Sequence, residues 1–188
     1  MNKFYAVSGP SGCGKTTVNR RVVARNSYVR YSTSQTTRPA RPGERHGTDY
    51  WFVSVADFLQ RRDARGFVEY ANVHGNWYGT GRPFVEGALR DGKDVIAEVN
   101  WDGILMLRDE GIPVVSIMVL PPSLEELEMR LWARGDLDDD RIAARLADAP
   151  REMALAHLYN YTVINEDVCR TVEVLGHIIA TERHRKAP

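Results

Sequence analysis

The sequence predicts an α/β fold in which a parallel sheet is flanked by helices on both faces. Four short apolar runs, each bounded by turn residues, are typical of buried strands: 4–8, 94–99, 114–120 and 161–165. Helical segments separate these runs, and strands that alternate with helices favour parallel pairing. The length of 188 residues corresponds to one domain, since domains contain roughly 150 residues.

The elements begin with a strand, a glycine-rich turn and a helix. Residues 4–8 are the strand, 9–14 the turn and 15–25 the first helix, because an apolar run is followed by glycines and then by a helical pattern. At the other end of the chain, a helix over 168–183 follows the last strand. Such connections place helices on both faces of the sheet.

Two segments depart from this alternation and are predicted to be insertions into a core of 1–31, 81–123 and 151–188. Residues 32–80 are rich in threonine, arginine, proline, glycine and aromatic residues. Residues 124–150 are a charged pair of helices, and the polar stretch GDLDDD at 135–140 interrupts them. Neither segment is of low complexity.

Composition excludes several classes of protein. The 25 basic and 25 acidic residues give a formal net charge of zero, so nothing favours nucleic acid or a membrane surface as a partner. Cys13 and Cys169 are too few for a disulfide framework, and no Cys/His cluster has the spacing of a zinc site. No apolar run is long enough to span a membrane, and no secretory signal pattern is present. We therefore expect a cytoplasmic protein.

A phosphate-binding loop is predicted between the first strand and the first helix. Its sequence GPSGCGKTT matches the pattern G-x-x-x-x-G-K-[ST]. Glycines let several backbone N–H groups converge on a phosphate, and the helix N-terminus adds the positive end of its dipole. Lys15 is expected to bridge the β- and γ-phosphates, and the Thr16 hydroxyl to bind Mg²⁺. The predicted nucleotide-binding residues here are Gly9, Pro10, Ser11, Gly12, Cys13, Gly14, Lys15, Thr16 and Thr17.

The loop predicts a nucleoside triphosphate but no particular reaction, so the rest of the chain must decide which reaction follows. Arg38 and Arg41 stand three residues apart, and with Tyr50 and Tyr78 they offer two guanidinium groups and two phenols to a phosphate monoester. A carboxylate such as that of Glu69 accepts hydrogen bonds from N1–H and the 2-amino group of guanine. Adenine has a lone pair at N1 and is disfavoured.

These motifs resemble those of guanylate kinases. The family pattern S-x-T-T-R-x-x-R-x-G-E-x-x-G-x-x-Y-x-F is met at every specified position of 34–52, and the similarity covers nearly the whole chain. The resemblance implies a P-loop nucleoside monophosphate kinase, a single domain with an NMP-binding lobe over 32–80 and a helical lid over 124–150. It also implies that the acceptor nucleotide is bound by Ser34, Arg38, Arg41, Tyr50, Glu69, Tyr78 and Thr80.

The strand that follows Lys93 departs from the family. The family stretch is written acid-x-Asp-x-Gln-Gly, and Glu98 keeps the first acid at the end of a predicted strand, where a Mg²⁺ ligand acting through water is needed. Asn100 stands in place of the Asp that is implied to hold the guanine amino group, and Asp102 in place of Gln. The Asn100 carboxamide accepts from that amine without a charge. Both Glu98 and Asn100 are included in the acceptor site, and another acceptor base stays open.

Arginines in 124–150 are candidates for the reaction itself. Phosphoryl transfer needs neutralised charge on three equatorial oxygens and exclusion of water, and arginines on a closing flap supply both. The resemblance assigns Arg134 and Arg145 to the donor phosphates and the transition state, with Arg130 a weaker candidate. It also implies that Asn165, which follows the last strand, contacts the donor adenine. The predicted catalytic residues are Lys15, Arg38, Arg134 and Arg145.

The implied reaction is ATP + (d)GMP → ADP + (d)GDP with Mg²⁺, catalysed by a monomer or a homodimer. Two alternatives stay open. One is a kinase of the same fold for another nucleoside monophosphate or for ribose 1,5-bisphosphate, which Asn100 suggests. The other is a non-catalytic module of the same fold that binds protein ligands, against which the intact Lys15 and Thr16 argue.

Overall fold

The structure, a computed structural model, describes residues 2–135 and 138–185, and it leaves the Arg134 side chain undescribed. In this part of the chain the strands are β1 (Phe4–Ser8), β2 (Val29–Tyr31), β3 (Gln35–Thr36), β4 (Trp51–Phe52), β5 (Phe67–Val73), β6 (Asn76–Gly81), β7 (Asp94–Glu98), β8 (Val114–Leu120) and β9 (Tyr161–Ile164). The helices are α1 (Lys15–Arg25), α2 (Val55–Asp63), α3 (Arg82–Arg90), α4 (Trp101–Asp109), α5 (Leu124–Arg134), α6 (Asp139–Ala154) and α7 (Val168–His184), and a 3₁₀ helix spans Leu155–Leu158.

The α/β fold and its parallel sheet are confirmed. Strands β1, β7, β8 and β9 lie within one residue of the predicted bounds, in a five-stranded sheet of order β2–β7–β1–β8–β9. Strand β2 was not predicted, because its three residues are too few to establish an apolar run. It pairs in parallel with β7, so that Val29 lies opposite Asp94 and Tyr31 opposite Ile96. Strand β9 pairs in the same sense with β8.

The chain divides into two compact units. The unit that contains the segment predicted to bind the acceptor nucleotide is called the acceptor unit and consists of 1–6 and 27–114. The unit that contains the predicted phosphate loop is called the donor unit and consists of 7–26 and 115–188. The insertion at 32–80 therefore belongs to the acceptor unit. The phosphate loop and the insertion at 124–150 belong to the donor unit, apart from the residues outside the described part.

A second sheet, of order β4–β3–β6–β5, lies in the acceptor unit. Strands β5 and β6 form an antiparallel hairpin whose two-residue turn, His74-Gly75, has φ values of 49° and 80°. Two successive positive φ values are those of a type I′ turn, which matches the twist of paired strands. Behind the hairpin, Phe58 of α2 stacks on Phe67 with ring centroids 4.5 Å apart. A Cβ at Gly79 would stand 2.9 Å from the Phe67 ring, so this packing requires glycine.

Helices α1 and α7 pack together in the donor unit. Val18 and Val22 of α1 and Leu175 and Ile179 of α7 are buried. Each pair is spaced by four residues and therefore shares one face of its helix. Burial of each side chain contributes about 1.5–3 kcal/mol, so this contact fixes the helix that begins at the phosphate loop.

The insertion at 124–150 is a pair of helices, as predicted, but the break between them is shorter than expected. Helix α6 begins at Asp139, and Asp138 caps it by accepting from the backbone N–H of Arg141 at 2.9 Å. Aspartate is favoured at this position, and further acids in the first turn complement the helix dipole. Among the described residues, no helix has both the length and the apolar character needed to cross a membrane.

Candidate active site

The phosphate loop has the backbone geometry of an anion cradle. Gly9, Gly12 and Gly14 have φ values of 141°, 96° and 96°, a region that disfavours every other residue type. A Cβ at Gly9 would also collide with the carbonyl oxygen of Val119. Within the described residues, no side chain caps α1, and its first turn contains no acid. The N–H groups and the positive dipole end at Lys15 therefore favour an anion.

Two of the positively charged side chains that were predicted for the donor site contact this loop. The Lys15 Nζ donates to the carbonyl oxygens of Gly9 at 2.6 Å and Pro10 at 2.9 Å. Arg145 of α6 donates through Nη1 to the Ser11 hydroxyl. The structure thus brings Lys15 and Arg145 to the loop that was predicted to bind the triphosphate. The side chain of Arg134 lies outside the described part of the chain.

Other residues predicted for the donor site differ in exposure. Thr16 and Thr17, in the first turn of α1, are exposed. Cys13, within the loop, is fully buried. Asn165 is only 1% exposed and donates through Nδ2 to the carbonyl oxygen of Cys13 at 2.7 Å. This bond joins Asn165 to the phosphate loop, and its contact with the adenine base stays a prediction.

An ion pair organises the predicted site for the acceptor phosphate. Arg38 donates from Nη1 and Nη2 to the two carboxylate oxygens of Glu44, at 2.9 and 2.8 Å. The backbone N–H of Arg41 donates to the same carboxylate at 2.8 Å. Although partial burial opposes the effect, the Arg38 guanidinium and the Arg41 N–H hold the pKa of Glu44 below its ordinary value. Glu44 thus stays ionised and fixes the orientation of the Arg38 guanidinium group.

Two tyrosines that were predicted for the acceptor site lie beside this guanidinium group. The guanidinium carbon of Arg38 is 5.3 Å from the ring centroid of Tyr50, and the Tyr50 and Tyr78 rings meet edge to face at 6.0 Å. Burial, reinforced by the negative charge of Glu98, raises the pKa of Tyr50 above its ordinary value. The phenol therefore stays protonated at neutral pH and is a donor to an anion. Arg38, Tyr50 and Tyr78 form one cluster.

The hairpin brings the predicted base-binding residues Glu69 and Thr80 together. They lie opposite each other in β5 and β6, and the Thr80 hydroxyl donates to Oε1 of Glu69. Both side chains are buried, at 5% and 0% exposure. Burial raises the pKa of Glu69 to about 7, even though the Thr80 hydroxyl and N–H favour the ionised form. Glu69 is therefore poised between its two protonation states at neutral pH.

Helix α4 begins against this carboxylate. A Cβ at Gly103 would stand 2.6 Å from Oε2 of Glu69 and 3.2 Å from Oδ1 of Asn100, so both side chains border the same point. Asn100 is the N-cap of α4, and its Oδ1 accepts from the Gly103 N–H at 2.9 Å. The carbonyl end of the carboxamide is thus used by the helix.

Ser34 and Glu98 complete the predicted acceptor residues. Ser34 directly precedes β3, and Glu98 is the last residue of β7. Ser34 is partly exposed, and its carbonyl oxygen accepts from the Trp51 N–H at 2.9 Å. Glu98, at the end of β7, is partly exposed and accepts from the Tyr31 hydroxyl at 3.2 Å. The structure thus keeps one Glu98 oxygen occupied by a phenol.

Three residues with clear roles in the site received none from the sequence. Glu44 fixes Arg38, Tyr31 binds Glu98, and Gly103 gives Glu69 room. A signal existed for Glu44, since an acid after two arginines and a Pro-Gly turn is suited to pair with one of them. No local signal pointed to Tyr31 or Gly103, because their partners are 67 and 34 residues away along the chain.

Comparisons with known proteins agree with one another. A family model described as guanylate kinase matches residues 1–182. The guanylate kinase of Symbiobacterium thermophilum is 41% identical over 182 residues, which cover 97% of this chain and 86% of that protein. That of Paraburkholderia xenovorans is 43% identical over 184 residues, covering 98% and 82%. The crystal structure of guanylate kinase from Anaplasma phagocytophilum has a TM-score of 0.82 at 30% identity, covering 98% of this chain and 88% of that one.

Proposed function

The chain belongs to the guanylate kinase family, and we propose that it transfers the γ-phosphate of ATP to GMP or dGMP, releasing ADP and GDP or dGDP. It is thus a nucleoside monophosphate kinase, a phosphotransferase whose substrates are nucleotides. The observation that carries most weight is the buried Glu69–Thr80 pair, in the same unit as the Arg38–Tyr50–Tyr78 cluster. A buried carboxylate that can accept from a base, together with a cluster of donors for a phosphate, suits a nucleoside monophosphate.

The acceptor phosphate is assigned to the cluster around Arg38. The guanidinium groups of Arg38 and Arg41 and the phenols of Tyr50 and Tyr78 are all donors, as a phosphate dianion requires. Glu44 orients Arg38 by a bidentate pair, so little side-chain entropy is lost when the nucleotide binds. The dianion is itself the nucleophile, so the reaction needs no strong general base.

The acceptor base is assigned to Glu69, Thr80, Ser34 and Asn100. An ionised Glu69 accepts from N1–H and the 2-amino group of guanine, whereas adenine would face it with a lone pair at N1. An unpaired buried polar group costs about 1–3 kcal/mol, so guanine is preferred over adenine by roughly 10- to 100-fold at this contact. A ribose bisphosphate has no base and offers the Glu69 carboxylate no donor in addition to Thr80.

The triphosphate is assigned to the phosphate loop. Lys15 neutralises charge on the β- and γ-phosphates, and Arg145 adds a second cation beside Ser11. We extend this role to Arg134 by the family resemblance. The segment 124–150 would act as a lid and 32–80 as an NMP-binding lobe, which exclude water from the reacting phosphates.

Magnesium is implied by the family, and the residues present fit it. The exposed Thr16 hydroxyl is an oxygen ligand of the kind that this hard cation prefers, and the family resemblance adds the Glu98 carboxylate, which would act through water. When bound, Mg²⁺ neutralises charge on the β- and γ-phosphate oxygens. The Tyr31 hydroxyl holds one oxygen of Glu98 and so orients the other.

A substrate panel tests the proposal. The purified protein is given ATP and Mg²⁺ with GMP, dGMP, IMP, AMP or ribose 1,5-bisphosphate, and ADP formation is followed by a coupled assay. GMP and dGMP are expected to be the best acceptors, and Lys15→Ala is the matched control for contaminating kinases. Faster turnover of AMP or ribose 1,5-bisphosphate than of GMP would refute the assignment. Absence of turnover with ATP binding intact would favour a non-catalytic module.

A further inference from the structure

We propose that Asn165 is a positioning residue of the phosphate loop, which it holds in the triphosphate-binding conformation, and that it does not read the adenine base. The inference rests on the proposed function, since it concerns the donor site of that kinase. It differs from the role that resemblance to the family implies for this position. It is carried by the hydrogen bonds, burial and close contacts of Asn165 within the donor unit.

Asn165 is buried among backbone groups of the donor unit. Its backbone N–H donates to the carbonyl oxygen of Leu120 at 2.8 Å, and its side chain donates to that of Cys13 at 2.7 Å. With 1% of its surface exposed, the residue has no area to offer a nucleobase. The Oδ1 atom has no hydrogen-bond partner among the described residues, so the bond to Cys13 is the one that the carboxamide makes there.

The bond to Cys13 determines the direction of a loop amide. In a planar trans peptide, the carbonyl of Cys13 and the N–H of Gly14 point in opposite directions. Because Asn165 holds the carbonyl on its own side, the Gly14 N–H points away from Asn165. Gly14 has a φ of 96°, and a Cβ there would collide with Nδ2 of Asn165, so the contact is as close as a glycine permits.

Loss of this bond would allow the peptide between Cys13 and Gly14 to rotate, since glycine accepts almost any backbone conformation. Rotation would turn a carbonyl dipole in place of an N–H toward an anion on the loop. All phosphate ligands would then bind more weakly, whatever base they carry. This dependence on the phosphates alone separates a positioning residue from a base reader.

Asn165 also joins the loop to helix α5. Its backbone carbonyl accepts from Nη2 of Arg130 at 3.1 Å, and Nε of Arg130 donates to Glu126 at 2.8 Å. Arg130 is therefore engaged by Asn165 and Glu126. The contacts form a chain from α5 through Asn165 to the carbonyl of Cys13.

The experiment compares two donors that share the triphosphate but differ in the base. Values of kcat/KM for ATP and UTP, with GMP as acceptor, are measured for the wild type and Asn165→Ala, and the Kd of ATP is measured by calorimetry. We expect Asn165→Ala to lower both kcat/KM values by about tenfold, the effect of one lost hydrogen bond, and to raise the Kd of ATP similarly. The ratio of ATP to UTP stays as in the wild type.

Asn160→Ala is the matched structural control. The Oδ1 of Asn160 accepts from the N–H and the hydroxyl of Ser116, both at 2.9 Å, so this variant loses comparable bonds away from the loop. It is expected to lower the melting temperature and to leave both kcat/KM values unchanged. If Asn165→Ala does not fold, Asn165→Ser, which keeps a short polar side chain, carries the same comparison.

Two results would overturn the inference. A fall confined to ATP, which brings the ratio of ATP to UTP toward one, would make Asn165 a base reader. Unchanged kcat/KM values for both donors would show that Asn165 does not affect the phosphate loop. A wild type that binds ATP but phosphorylates no acceptor would instead contradict the proposed function, and the Kd of ATP for the variants would still decide the role of Asn165.

Discussion

Replacing Glu69 by glutamine is expected to stabilise the protein above neutral pH and to impair its use of GMP. The carboxylate is buried, and its pKa rises from 4.5 to about 7. The folded state therefore binds more protons than the unfolded state between these values. Stability falls as the pH rises through this range and is lowest above it. Glutamine has no such charge, and its Oε1 still accepts from Thr80.

The magnitude follows from the two pKa values. The raised pKa of Glu69 lowers the free energy of unfolding by about 3 kcal/mol at pH 8, and about 1 kcal/mol of that loss is already present at pH 5, where the carboxyl ionises in the unfolded chain. The difference in unfolding free energy between Glu69→Gln and the wild type should thus increase by about 2 kcal/mol from pH 5 to pH 8. This is a large part of the 5–15 kcal/mol that is typical of a domain, or roughly 0.05–0.15 kcal/mol per residue.

The assay is urea unfolding of both proteins at pH 5 and pH 8, with GMP and ATP kinetics at pH 8. The KM for GMP should rise by roughly 10- to 100-fold in the variant, because guanine donors lose their charged acceptor, while the KM for ATP is unchanged. Glu128→Gln on α5 is the control, since Glu128 is exposed and the same charge is removed without relief of burial.

A free-energy difference that changes by less than about 0.5 kcal/mol between the two pH values would show that Glu69 is not destabilised by burial. An unchanged KM for GMP would separate Glu69 from base recognition. Either result refutes the corresponding half of the reasoning, and a matching response of Glu128→Gln would assign the effect to net charge.

Three further predictions concern single contacts. Lys15→Ala should weaken ATP binding by more than about tenfold in calorimetry, because charge-assisted hydrogen bonds contribute about 1.5–3 kcal/mol; equal heats for the two proteins would contradict the loop assignment. Asn100→Ala should lower the free energy of unfolding by about 1 kcal/mol through loss of the α4 cap, whereas Asn100→Asp keeps the cap. A sharp rise of GMP turnover in Asn100→Asp would indicate that another acceptor is preferred. Glu44→Gln should raise the KM for GMP and leave that for ATP unchanged, since it weakens the pair that orients Arg38; equal increases in both would place Glu44 outside the acceptor site.

The sequence was most informative where function depends on neighbours along the chain. The phosphate loop was predicted from its glycines and Lys15, because a cradle of backbone N–H groups is built from consecutive residues. The same holds for helix α1, whose observed bounds are the predicted ones. The strands β7 and β8 were visible because their burial produces unbroken apolar runs.

Residues whose roles depend on distant partners were harder to assign. Glu44 was part of a motif, but its pairing with Arg38 depends on a turn that brings the two side chains together. The family resemblance predicted a contact of Asn165 with the adenine base, because its position after a strand says nothing about the direction of its side chain. The structure places that side chain against Cys13, which is 152 residues away.

The sequence by itself determined the alternation of strands and helices, the phosphate loop and the kinds of side chain offered to an acceptor nucleotide. These properties follow from short-range sterics, periodicity and residue chemistry. Only the tertiary structure decided that Glu69 is buried opposite Thr80 and against Gly103, and that burial brings its pKa to about 7. The reason is physical: a pKa and a hydrogen-bond direction depend on solvent exclusion and on atoms that the fold brings from remote segments.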